Sequence, residues 1–206
     1  MNRGRFITVE GVEGVGKSTQ LARLQAFLRD KGMDPLMTRE PGGSPLAEEI
    51  RSLLLSPRDD AMTPDAELLL VFAARADHLA QKIVPAIERG QWVLSDRFTD
   101  ASFAYQGAGR GISVERIAEI EQWVQGPLRP DRVLVLDLPP EEGARRVIRR
   151  AVQDRFESEQ IDFFHRAREM YLLRARMDPP RYRVIDARGN EDEVHQRMVL
   201  ALADLL

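Results

Sequence analysis

Eight residues near the start of the chain, Gly11-Val12-Glu13-Gly14-Val15-Gly16-Lys17-Ser18, fit the pattern G-x-x-x-x-G-K-[ST]. That pattern carries a definite chemistry. Its glycines let the backbone curl until successive N–H groups converge on phosphate oxygens, and a helix opening directly behind them adds the partial positive charge of its N-terminus. Lys17 is placed to bridge the outer phosphates of a nucleotide and Ser18 to put its hydroxyl on Mg²⁺, with Thr19 as the alternative donor. Further along, Asp96 closes the apolar run Trp92-Val93-Leu94-Ser95 and Arg97 follows at once. A carboxylate there can hold Mg²⁺ through water or orient an attacking oxygen, and the guanidinium can meet a substrate phosphate.

The elements that must position these residues follow from the apolar periodicity. Phe6 to Val9 reads as a strand, and Lys17 to Lys31, with Leu21, Leu24 and Leu28 on one face, as an amphipathic helix. The alternation continues through a strand at 34–38, a helix at 47–55, a long helical stretch from Pro64 to Arg89, and strands at 92–96, 132–137 and 182–186. Thr63-Pro64-Asp65 supplies an N-cap with proline at the first helical position. Pro85 inside the long helix should kink or end it. Five strands interleaved with helices predict an α/β, three-layer P-loop NTPase fold: a five-stranded, mostly parallel sheet with helices on both faces, binding ligands at the carboxyl ends of its strands.

Composition bounds the rest. A chain of 206 residues suits a single domain over 1–206, and neither an internal repeat nor a linker divides it. No apolar run approaches the roughly 18 to 20 residues of a membrane span, so neither a membrane helix nor a secretory leader is expected, and cytoplasmic residence fits. The lack of cysteine excludes a Cys-ligated metal site, and three scattered histidines argue against a His-rich one. A net charge of −3 argues against binding to a nucleic-acid polymer. A guanine-reading N-K-x-D element is impossible, because the asparagines are Asn2 and Asn190 and neither precedes a lysine.

Four motifs follow the phosphate loop in order: Arg39-Glu40-Pro41-Gly42-Gly43, Phe72-Ala73-Ala74-Arg75, Asp96-Arg97, and Ala104-Tyr105-Gln106-Gly107. Together they closely resemble the bacterial-type thymidylate kinases of the P-loop nucleoside monophosphate kinases, over nearly the whole chain. The resemblance implies Mg²⁺-dependent transfer of the γ-phosphoryl group of ATP to dTMP, giving dTDP and ADP, in dTTP biosynthesis. It implies a homodimer, for which the Leu68-Leu69-Leu70-Val71 run could be an interface or ordinary core. Carried over residue by residue, Gly11 to Thr19 hold ATP. Phe72 looks like the aromatic that stacks on thymine and Arg75 like the donor to a base carbonyl. They stand three apart and so share a helix face. Arg39 and Arg97 resemble the arginines near the acceptor phosphate, Glu13 an acidic residue near the deoxyribose 3′ position, and Pro41, Ser102, Tyr105 and Gln106 the remaining nucleoside shell.

Phosphoryl transfer also needs positive charge on the transferring group, and the phosphate loop contains no arginine. The Arg-rich stretch Arg145-Arg146-Val147-Ile148-Arg149-Arg150, with Asp154-Arg155, resembles a short lid at about 143–156. Ile148 and Ala151 stand where related lids often have Arg and Gly, which leaves the catalytic arginine as Arg150 or Arg146, with Arg155 as an anchor. Phe163, Phe164 and Tyr171 read as core, and His78, His165 and His195 as surface or capping residues.

Overall fold

Five short apolar runs alternate with helical segments, and the three central ones are buried almost throughout while the two edge runs stay partly exposed. In the computed structural model, which describes residues 3–57, 60–147, 155–156 and 159–206, these runs become β1 (Phe6–Glu10), β2 (Leu36–Arg39), β3 (Val93–Asp96), β4 (Arg132–Asp137) and β5 (Tyr182–Asp186). They pair in the order β2-β3-β1-β4-β5 and every pairing is parallel. Register aligns Val9 and Arg39 with Asp96, so the ends of β1, β2 and β3 emerge together.

Successive strand residues face opposite sides. Phe6 and Val93 turn to a cluster with Leu79, Ile83 and Ile87, whereas Ile7, Val9 and Leu94 turn to one with Leu21, Leu24 and Leu28. Truncating a side chain as buried as Leu24 to alanine would cost about 2–5 kcal/mol. The helices covering the sheet are α1 (Lys17–Asp30), α2 (Pro45–Leu55), α3 (Pro64–His78), α4 (Val84–Glu88), α5 (Thr99–Ser102), α6 (Val114–Gln125), α7 (Pro140–Val147), α8 (Ile161–Met177) and α9 (Glu191–Leu200). Among the described residues, no helix is long and apolar enough to cross a membrane.

Three features differ from the sequence reading. The second strand starts at Leu36, where pairing with Val93 of β3 begins, and Asp34 lies before it, with its carboxylate accepting from Arg29 at 2.7 Å. Helix α2 begins two residues early, with Pro45 in its first turn where a missing N–H costs nothing. Pro85 does not end the long helix: a π-helical segment, Leu79–Ile83, joins α3 to α4 ahead of it, the kind of widened turn in which a helix departs from its regular hydrogen bonding. A second π segment, Phe103–Gly109, continues α5.

Candidate active site

Three strand ends and one helix start meet at a single sheet edge, where β1 pairs with β3 on one side and β4 on the other. A cavity of about 240 Å³ opens there. Glu13, Gly14, Gly16, Lys17 and Ser18 line it from the phosphate loop, Arg39, Glu40 and Pro41 from the end of β2, Asp96 and Arg97 from the end of β3. Arg75 enters from α3, Ser102 from α5, and Tyr105 and Gln106 from the π segment after it.

The phosphate loop is held open for a ligand. Gly16 precedes α1 and contributes no side-chain cap, so the first amides of that helix keep their donors for another acceptor. The loop also packs closely on α7: a Cβ at Gly14 would stand 2.2 Å from the Gly143 carbonyl oxygen. The Lys17 ammonium folds back onto the carbonyls of Gly11 (3.2 Å) and Val12 (3.3 Å). Burial, and then the positive Arg97 nearby, lower the Lys17 pKa. A phosphate would reverse the second of these effects, which suits an ammonium that waits for an anion. Val15 points into the core, and Ser18 is exposed on the cavity wall. Thr19 is exposed and does not line the cavity.

Beside the loop stands a charge cluster built on Arg97. This residue adopts φ 69°, a left-handed backbone that costs a branched-free but bulky side chain of order 1–3 kcal/mol, and such strain concentrates at functional sites. The turn aims its guanidinium at the Gly11 carbonyl (2.8 Å), the Tyr171 hydroxyl (3.1 Å) and the Glu13 carboxylate (2.5 Å). The Tyr105 hydroxyl donates to the same Glu13 oxygen at 3.1 Å, and its ring lies 4.7 Å from the Arg97 guanidinium. Tyr171, assigned to the core by sequence, is therefore also an orienting partner for Arg97. Asp96 Oδ1 is buried and has no hydrogen-bond partner among the described residues. A carboxylate oxygen left so, with a serine hydroxyl on the same wall, is the hard donor set that Mg²⁺ takes when phosphates and waters complete its shell.

On the acceptor side, Arg75 is 1% exposed, with its guanidinium carbon 4.5 Å from the Phe72 ring centroid and 5.1 Å from that of Phe98. Its Nε donates to Glu40 at 2.7 Å and its Nη2 to Ser102 Oγ at 3.0 Å and the Phe98 carbonyl at 3.2 Å. Nη1 has no partner among the described residues. A buried guanidinium nitrogen without an acceptor costs roughly 1–3 kcal/mol, which a ligand carbonyl would recover. Phe72 is placed differently from the expectation of an open stacking face. It packs with Leu68, Phe103, Ile112 and Ile117, the guanidinium of Arg75 lies over it, and it does not line the cavity.

Gln106 donates to Glu67 at 2.8 Å, and the same carboxylate receives Arg155 at 2.7 Å and Arg110 at 3.3 Å. Arg155 also donates to the Leu54 carbonyl at 2.8 Å. Arg39 pairs with Glu48 at 2.9 Å at the cavity mouth. Arg146 is exposed and reaches the Gly14 carbonyl at 3.5 Å, while Arg150, with Ile148, Arg149, Ala151 and Asp154, lies outside the described residues.

Sequence reasoning missed several members. Glu10, at the end of β1, is fully buried behind Arg97, accepts the Phe98 N–H at 2.7 Å and is lifted to a pKa of about 8 by burial and then by Asp100. Arg51, Phe98 and Phe156 line the cavity without a motif to mark them. His78 is not a surface or capping residue: it is 0% exposed and joined to Glu40. Its spacing of three from Arg75 was the available signal. His165, half-exposed and paired with Glu141 at 2.7 Å, does lie at the surface.

The chain also resembles known proteins over nearly its whole length. A thymidylate kinase family model matches residues 9–198. The chain is 59% identical over 197 residues to a thymidylate kinase of Pseudomonas putida (strain W619), covering 96% of this chain and 95% of that one. It is 57% identical over 203 residues to a thymidylate kinase of Pseudomonas savastanoi pv. phaseolicola, covering 98% and 97%. The crystal structure of thymidylate kinase from Ehrlichia chaffeensis superposes with a TM-score of 0.79 at 29% identity, over 98% of this chain and 99% of that one.

Proposed function

The chain belongs to the thymidylate kinase family and phosphorylates dTMP with ATP, and from that premise we propose how its residues divide the work. The β- and γ-phosphates of ATP lie on the amides from Gly11 to Thr19, with Lys17 turning from its loop carbonyls to the outer phosphates. Ser18 and Asp96 would hold Mg²⁺, which when bound offsets charge on the transferring phosphates. The acceptor phosphate meets Arg97 and Arg39, and the sugar lies against Glu13 and Tyr105. The base lies against Arg75, Ser102, Gln106 and Pro41, with Phe72 acting on it through the guanidinium it supports.

No strong general base is needed, because a phosphate monoester is already largely ionised near neutral pH, its second pKa being about 6. The chemistry is therefore positioning and charge. Arg97, fixed from three sides, holds the attacking oxygen; Asp96 fixes the approach; Arg146 or Arg150, on a lid at about 143–156, adds positive charge as water is excluded. We read residues 1–206 as a single cytoplasmic kinase domain acting in dTTP biosynthesis as a homodimer.

The observation that carries this reading is a pair of buried atoms without partners among the described residues, Asp96 Oδ1 and Arg75 Nη1, on two residues that line one cavity. The test is ADP production from MgATP with dTMP, dUMP, dCMP, UMP, CMP, AMP or GMP. Strong turnover with dTMP, less with dUMP and little with the others is expected. Equal turnover with dCMP would remove Arg75 from base recognition.

A further inference from the structure

The Arg75 guanidinium carbon lies 4.5 Å from the Phe72 ring centroid and 5.1 Å from that of Phe98, contacts that are weakly directional and leave the orientation of its nitrogens open. Only hydrogen bonds can set it. Ser102 and the Phe98 carbonyl hold Nη2, and Glu40 holds Nε. Glu40 is itself 4% exposed, on the loop after β2, and its second oxygen lies 3.1 Å from His78 Nδ1. The other ring nitrogen, Nε2, lies 2.5 Å from Thr38 Oγ1. With the proton on Nδ1, His78 donates to Glu40 and accepts from Thr38, and every polar atom of the ring is satisfied. The chain of contacts runs from Thr38 through His78 and Glu40 to Arg75, a residue of the cavity lining whose buried Nη1 has no partner among the described residues.

The glycine pair of the Glu40-Pro41-Gly42-Gly43 motif belongs to the same construction. A Cβ on Gly43 would stand 2.3 Å from His78 Nε2 and 2.6 Å from Thr38 Oγ1. The loop can therefore close over the histidine only with glycine there, and closure is what brings Glu40 between His78 and Arg75.

We infer that His78 is a positioning residue for acceptor recognition: through Glu40 it fixes the orientation of Arg75, and so aims Nη1 at a base carbonyl. The inference rests on the reading of Arg75 as the base contact. A carbonyl at the base edge accepts from Nη1, whereas the amino group of cytosine presents a donor there, so the orientation also serves the preference for thymine.

Initial-rate kinetics of the full chain, varying dTMP, dCMP and ATP in turn, test this with Arg75→Ala, His78→Leu, His78→Asn, His78→Gln and the Arg75→Ala/His78→Leu double variant. Asparagine places an amide donor near the Nδ1 position, and glutamine places one near Nε2. His78→Leu should raise the KM for dTMP about tenfold, as expected for a weakened charge-assisted hydrogen bond, and narrow the preference over dCMP while the KM for ATP stays put. His78→Asn should restore the dTMP KM, His78→Gln should not, and the double variant should be no worse than Arg75→Ala alone. A merely structural role would move ATP and dTMP together and would not distinguish Asn from Gln. An unchanged dTMP KM in Arg75→Ala defeats the reading of Arg75 itself. A raised KM in Arg75→Ala with a normal one in His78→Leu, or additive effects in the double variant, overturns the role of His78 alone. If His78→Leu yields no folded protein, equal dTMP KM values for the Asn and Gln variants overturn it.

Discussion

The residues around the cavity divide into those whose valences are satisfied and those left waiting. Among the described residues Asp96 Oδ1 is in the second group, and the role proposed for it is electrostatic rather than basic. Asp96→Asn keeps the volume and removes the charge, so kcat should fall by about 10²–10³ with little change in the Kd of dTMP, since losing one preorganised electrostatic group costs about that much. Steady-state rates beside equilibrium titration with dTMP check the split, and near-normal turnover would take Asp96 out of the mechanism. Glu10 is the opposite case, a carboxyl held protonated by its surroundings. Burial, then Asp100, raises it from an unfolded value of 4.5 to about 8, so the native state binds a proton that the unfolded chain has released. That contribution to stability is complete below about pH 4.5 and is lost as pH rises through about 8. Glu10→Gln should therefore flatten the decline in Tm between pH 5 and pH 9, read by thermal melts across the series; parallel curves for the two proteins would contradict it.

At the scale of elements, α7 packs closely against the phosphate loop. Gly14 has φ 75° and its missing Cβ is the space taken by the Gly143 carbonyl. Gly14→Ala must move one element off the other, at a strain of about 1–3 kcal/mol. The donor side should suffer most: an ATP KM raised about tenfold or more with the dTMP KM nearly unchanged, by the equivalence of about 1.4 kcal/mol to a factor of ten. Equal losses on both sides would mean that the loop and the acceptor site do not move separately. Helix α9 offers a contrast in which an element end matters only for stability. Asn190 accepts the Glu193 N–H at 2.9 Å and Glu193 returns a bond to the Asn190 N–H at 3.0 Å, a complete capping box. Asn190→Ala should cost about 1 kcal/mol in denaturant unfolding and leave turnover untouched.

For the whole molecule, the proposed homodimer has a measurable consequence in how α3 spends its apolar run. Leu68 and Val71 are buried in the chain's own core, whereas Leu69 is 57% exposed. Sedimentation should give the mass of two chains, and Leu69→Asp should shift it toward one; a single-chain mass for the unaltered protein would remove the dimer. The succession of strands along the chain, the phosphate loop, and the positions of Asp96 and Arg97 at a strand end were legible in the sequence, whereas the order in which the strands pair was not. Period and punctuation are local properties, and the loop motif demands a strand before it and a helix after it. Where the sequence reading stopped was at contacts made by folding. Nothing local told that Glu10 would be sealed behind Arg97, that Tyr171 would turn from core filler into a partner of that arginine, or that Phe72 would lie beneath Arg75 instead of facing the cavity. His78 is the clearest instance. Read along the chain it is one histidine among three, and only the closure of the loop after β2 onto α3 removes it from water and sets Glu40 against it. Residue type and spacing determine which chemistry a chain carries and on which elements; burial and orientation depend on which elements meet, and that is decided by the packed sheet and its helices.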